Sequence, residues 1–175
     1  MSKPVSPSPA LPFAYFVLRV LVLMNWAMVA VILILLFALP NERWIMSAFD
    51  LTPSPEAERL VMGMRAIAAL GLVVVPLNNA VLKRLLAIVQ TVRDGDPFVA
   101  VNAARLQAVA WALLVLQLLS MVIGGIAKAV EIPGRPLNLD AGFSMNGWLA
   151  VFLVFLLARV FAEGTQMRDE LEGTI

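Results

Sequence analysis

Asp94 and Asp96 flank a glycine, and Asn25, Asn78 and Asn79 are amides set in long apolar runs; these side chains most invite a chemical reading. Paired carboxylates can hold a divalent cation, but calcium takes about six to eight oxygen ligands and two side chains at one turn fall well short. Turn chemistry accounts for the pair better. Gly95 can take positive φ, and Pro97 cannot continue a helix. The amides do not ionise and so offer no acid or base. In hydrocarbon an amide seeks another helix, and such a bond contributes about 0.6 kcal/mol on average. Pro76, just before the Asn78-Asn79 pair, leaves a backbone carbonyl in the preceding turn open to an amide or a water, and favours a kink.

Arg19 and Arg65 also lie within apolar runs. An arginine at the bilayer centre costs about 2.5–3.5 kcal/mol or more, so each would mark function if it sat there. Counting about 20 residues per span places both at membrane boundaries, where they reach the interface. No Asp, Glu, Lys or Arg then remains at mid-membrane, which disfavours a proton or ion relay. Cysteine and histidine are absent. That removes thiolate nucleophiles, disulfides, histidine-ligated haem and most transition-metal sites. No catalytic, cofactor-binding or metal residue is assigned, and the chain is not expected to be an enzyme.

The elements that position these residues follow from composition. Of 175 residues, 61% are hydrophobic and 14% charged, more apolar surface than a soluble domain of this size can bury. Four runs are long enough to cross roughly 30 Å of hydrocarbon. The chain is therefore read as a single all-α membrane domain, a four-helix transmembrane bundle with helices at about 11–39, 60–93, 103–126 and 143–168. The first run is too long for a cleaved signal and reads as a retained anchor.

Leu82, Leu85, Leu86, Val89 and Val92 recur at helical spacing, so the second helix continues past the membrane into a hairpin before the third. Lys83, Arg84, Arg93 and Arg105 surround that hairpin, with Lys3, Arg159 and Arg168 on the same side, against Arg43, Arg59, Lys128 and Arg135 opposite. The excess places the hairpin and both termini in the cytoplasm. Asn25 and the Asn78-Asn79 pair then lie at similar depths, roughly 6–8 Å inside the boundary, and are expected to meet. Trp44 reads as an interfacial anchor, whereas Trp26 and Trp111 look deeper and are expected to pack in the bundle or to line a small cavity. Gln117, Ser120, Gly124 and Gly125 give the third helix its best face for close contact, within the bundle or with another copy.

Two stretches carry a resemblance. One is Asp94-Gly95-Asp96-Pro97-Phe98 followed by Asn102 and Arg105-Leu106. The other runs from Gly147-Trp148 through Arg159, Phe161 and Glu163-Gly164 to Arg168 and Thr174. They resemble a bacterial four-helix membrane protein family catalogued as a domain of unknown function (DUF2975-like). The resemblance supplies no catalytic residues. Because members are often encoded beside a small helix-turn-helix regulator, it implies a membrane protein that controls a transcription factor.

The expected function is thus that of an integral inner-membrane protein, regulatory or sensory, acting on a cytoplasmic helix-turn-helix transcription regulator. The surface expected to bind it comprises Arg93, Asp94, Asp96, Phe98, Arg105, Glu163 and Arg168. The alternative is a small oligomeric channel or carrier for a small solute or ion, using an intramembrane polar cluster of Asn25, Asn78 and Asn79. The expected partners are the lipid bilayer, the regulator and a second copy of the chain. A net charge of +1 argues against direct nucleic-acid binding.

Overall fold

The computed structural model describes residues 10–38, 47, 52–95, 97–132 and 139–172. It is all-α, with four long helices: α1 (Ala10–Ala38), α2 (Pro55–Arg93), α3 (Ala100–Ala129) and α4 (Met145–Glu172). Lys3, Arg43, Trp44, Arg135 and Asp96, each given a place in the sequence reading, lie outside the described residues.

α1 is apolar on every side. Phe13, Phe16, Leu23, Met24, Ile34 and Phe37 are all exposed, and none of its membrane-length segment is buried by protein. Such a helix is stable only where lipid or another apolar surface covers it.

α2 starts at Pro55, earlier than the expected residue 60, because the local chemistry there is that of a helix N-terminus. Ser54 Oγ accepts from the Ala57 amide at 3.2 Å, Pro55 occupies the first turn, and Glu56 and Glu58 add negative charge where the helix dipole favours it. The helix-start pattern Ser54-Pro55-Glu56-Ala57 is thus the first turn of this same helix. It continues through Pro76 as one helix of 39 residues, about 58 Å long at 1.5 Å per residue, nearly twice the hydrocarbon thickness. It ends where expected. The Asp94 amide donates to the Gln90 carbonyl at 3.0 Å and the Gly95 amide to Val92 at 3.2 Å, with Gly95 at φ +90°.

α3 begins a few residues before the expected 103 and ends a few after 126. α4 begins after Ser144, whose Oγ accepts from the Gly147 amide at 3.2 Å. Each helix packs extensively on its neighbour in sequence, α1 on α2, α2 on α3 and α3 on α4. α1 and α4 share no extensive contact, so the bundle is open along that side. Two apolar clusters hold it. Val61 packs with Leu36, Met64 and Ala68 between α1 and α2. Val81, Val109 and Ala112 pack with Leu85, Leu113, Leu116 and Val154 across α2, α3 and α4.

Candidate docking site at the α2–α3 turn

Asn102, two residues inside α3, is fully buried, and both its amide protons and its amide oxygen are bonded. Its Nδ2 donates to Thr91 Oγ1 at 2.7 Å and to the Pro97 carbonyl at 2.9 Å. Its Oδ1 accepts from Arg105 Nη1 at 2.9 Å. Thr91 Oγ1 in turn donates to the Ile88 carbonyl at 2.7 Å, and Arg105 Nη1 reaches the Ala87 carbonyl at 3.3 Å. A buried amide left unbonded costs about 1–3 kcal/mol, so complete satisfaction makes Asn102 a fastener between the end of α2, the turn and the start of α3.

Phe98 extends the fastening to α4. Its ring lies 5.4 Å from that of Phe161, centroid to centroid and tilted by 31°. It also covers Gly164, where an added Cβ would sit 3.4 Å from the Phe98 ring. α1 joins at the same end: the guanidinium groups of Arg19 and Arg93 each lie 5.1 Å from the centre of the Tyr15 ring, within cation–π range. One end of the bundle therefore collects a fixed residue from every helix.

Of the residues expected to bind a partner, Phe98 and Arg105 are engaged within the chain, and Arg93 is exposed beside Tyr15. Asp94 and Arg168 are exposed. Glu163 is also exposed and accepts from Arg159 Nε at 2.7 Å, a pair so open to solvent that it contributes about 0.3–0.5 kcal/mol. The outward surface of this end thus mixes both signs of charge.

The amides of the apolar runs are placed differently from expectation. Asn25 Nδ2 donates to the Val75 carbonyl, next to Pro76, at 3.2 Å and does not bond Asn78 or Asn79. Asn25 and Asn78 lie at the edge of an otherwise apolar cleft of about 440 Å³ between α1, α2 and α3. Asn79 is buried, and its Nδ2 has no partner among the described residues. Gln117 fits against Gly147 of α4, and Ser120 Oγ accepts from the Gly142 amide at 3.2 Å. Gly124 receives the backbone of Ala141 and Gly142, while nothing lies near Gly125. The small and polar face of α3 is thus taken up within the chain.

Trp26 and Trp111 do not pack inside the bundle. They are 57% and 55% exposed, and Trp111 meets Phe155 edge-on at 5.3 Å. Depth along a span is readable from sequence, but rotation about an axis that is apolar all round is not.

Thr91 and Tyr15 were not singled out by sequence reasoning. The available signal for Thr91 was its hydroxyl one turn before Asp94-Gly95, with an amide at the matching position of the next helix. Tyr15 offered none beyond being the single tyrosine.

Four helices are long and apolar enough to cross a membrane, the pattern of a multi-pass helical membrane protein. The chain belongs to the DUF2975 family of proteins of unknown function, whose family model matches residues 48–175. α2, α3 and α4, with both resembling stretches, fall inside the match, and α1 precedes it. No curated protein and no solved structure matches the chain.

Proposed function

We propose that this is a regulatory protein of the inner membrane, with both termini and the α2–α3 turn in the cytoplasm, which binds a cytoplasmic helix-turn-helix transcription regulator at the surface shared by that turn and the end of α4. The observation that carries the reading is the seating of Phe98 on Phe161 and Gly164, because it makes one surface of the turn and the tail. That surface is tied to α3 through Asn102 and to α1 through Tyr15. A shift of any membrane helix would therefore be felt where Asp94, Glu163 and Arg168 face solvent. The orientation rests on the basic residues around the turn.

The channel reading is weaker on geometry. Asn25 and Asn78 line the cleft beside α1, whereas Gln117 and Ser120 meet α4 and the segment before it. A single copy thus gives them no shared path.

The test is purification from native membranes of the full chain and of a chain ending at Gly164. A helix-turn-helix protein should accompany the full chain and be lost from the shortened one, with the thermal stability of the bundle retained. Absence of any tail-dependent partner, together with solute flux in liposomes that survives the truncation, would reject the regulatory reading in favour of the channel.

A further inference from the structure

Lys83, Arg84 and Arg105 line one groove of about 400 Å³ beside the α2–α3 turn, with Pro76, Asn79, Ala80 and Ala87 completing its wall. No carboxylate contributes to it, and Lys83 and Arg84 form no ion pair among the described residues. Arg84 Nη1 is steadied by the Ala80 carbonyl at 3.1 Å, and Arg105 by Ala87 and Asn102. Three converging cations without a counter-charge form a site for an anion. A second, apolar groove of about 320 Å³, lined by Trp26, Val29, Leu72 and Val75, adjoins the first. Pro76 and Asn79 belong to both. Where they meet stands Asn79, 8% exposed, whose amide Nδ2 has no hydrogen-bond partner among the described residues. Buried donors are almost always bonded, so this one marks the junction of the two grooves as a place the chain alone leaves unsatisfied.

We infer that the two grooves together form a binding site for an anionic glycerophospholipid, its phosphate held by Lys83, Arg84 and Arg105 and an acyl chain lying in the apolar groove against Trp26, Leu72 and Val75. The charged groove lies at the level where α2 leaves the apolar run, which is where a lipid phosphate sits. A free phosphate would use the cations and leave the apolar groove idle. The site rests on the membrane-spanning character of the helices and is independent of the regulatory reading. It also accounts for the outward placement of Trp26, whose ring forms one wall of the chain slot.

The experiment is native mass spectrometry of the purified full chain, titrated with phosphatidylglycerol and, separately, phosphatidylcholine. The wild type should hold one phosphatidylglycerol in preference to phosphatidylcholine. Lys83→Gln with Arg84→Gln should weaken phosphatidylglycerol binding about 30-fold, the effect of removing two basic residues near an anionic group, and leave phosphatidylcholine unchanged. Leu72→Trp, which fills the slot and keeps every charge, should weaken both lipids, and it decides the matter if the double variant does not fold. Arg59→Gln with Lys128→Gln, at the other end of the bundle, should behave as wild type. Unchanged phosphatidylglycerol binding in the first variant, or an equal loss in the last, would overturn the assignment. So would displacement of the lipid by millimolar inorganic phosphate combined with indifference to Leu72→Trp, the behaviour of a free-phosphate site.

Discussion

Asn102 donates to the hydroxyl of Thr91 at 2.7 Å, across the turn that joins the second and third helices. The same amide holds the Pro97 carbonyl and Arg105, so a single side chain closes the turn. Asn102→Leu keeps the volume and removes all three bonds, taking a partner from the Pro97 carbonyl, the Thr91 hydroxyl and the Arg105 guanidinium, of which the last two keep their bonds to Ile88 and Ala87. We expect a loss of about 2–3 kcal/mol, read as a lower thermal unfolding midpoint of the helical circular dichroism signal in detergent. An unchanged midpoint would mean that the network closes the turn without stabilising it.

Two adjacent glycines should respond in opposite directions. A Cβ on Gly124 would come within 2.6 Å of the Gly142 Cα and 2.7 Å of the Ala141 carbonyl oxygen, and backbone cannot swing aside as a side chain can. Gly124→Ala should destabilise by about 1–3 kcal/mol. Gly125 faces open space, so Gly125→Ala should be neutral or stabilise by up to about 1 kcal/mol through helix propensity. Equal effects in the same unfolding assay would contradict the seating of the α3–α4 connection on Gly124.

This pair shows where sequence reading stops. The four spans were legible because hydropathy and length alone define them, and so was the turn, because Gly95 and Pro97 exclude a continuing helix. The start of α2 at about residue 60 was placed late: Ser54-Pro55-Glu56-Ala57 has the pattern of a helix start, and its capping chemistry opens the long helix itself. Which glycine of a pair faces a neighbour depends on rotation about the helix axis, and α3 offers no polar stripe strong enough to fix it. The same ignorance of rotation left open whether Trp26 and Trp111 pack in the bundle or line a cavity; Trp26 lines a groove and Trp111 lies half exposed against Phe155. The depths of Asn25, Asn78 and Asn79 were read well enough to set Asn25 beside α2, but an amide can satisfy itself on a backbone carbonyl, and Asn25 does so at Val75. Phe98 and Arg105 were legible as special, but their contacts within the fold, with Phe161 and with Asn102, were not, since a surface for a partner and a contact within the fold carry the same residue types.

Asn25→Leu removes the bond to the Val75 carbonyl and gains apolar contact, so its cost should be small, about 0.6 kcal/mol. Unfolding in mixed detergent micelles measures it. A cost of several kcal/mol would mean that the carbonyl next to Pro76 depends on this amide for its only partner.

Orientation is open to direct assay. Reporter fusions after Ile175 and at Gly95 should both report cytoplasm, because Lys83, Arg84, Arg93 and Arg105 hold this end of the bundle on that side. A periplasmic signal from either position would invert the map and remove the docking surface from reach of any transcription regulator.

The regulatory account is tested most directly by placing a photo-crosslinking residue at Asp94 in living cells, with the same residue at Lys128 at the opposite end as the control. Illumination should join position 94 to a helix-turn-helix protein, leave position 128 without that adduct, and lose the adduct from position 94 when the chain ends at Gly164. No helix-turn-helix adduct from position 94, or the same adduct from both positions, would contradict the account.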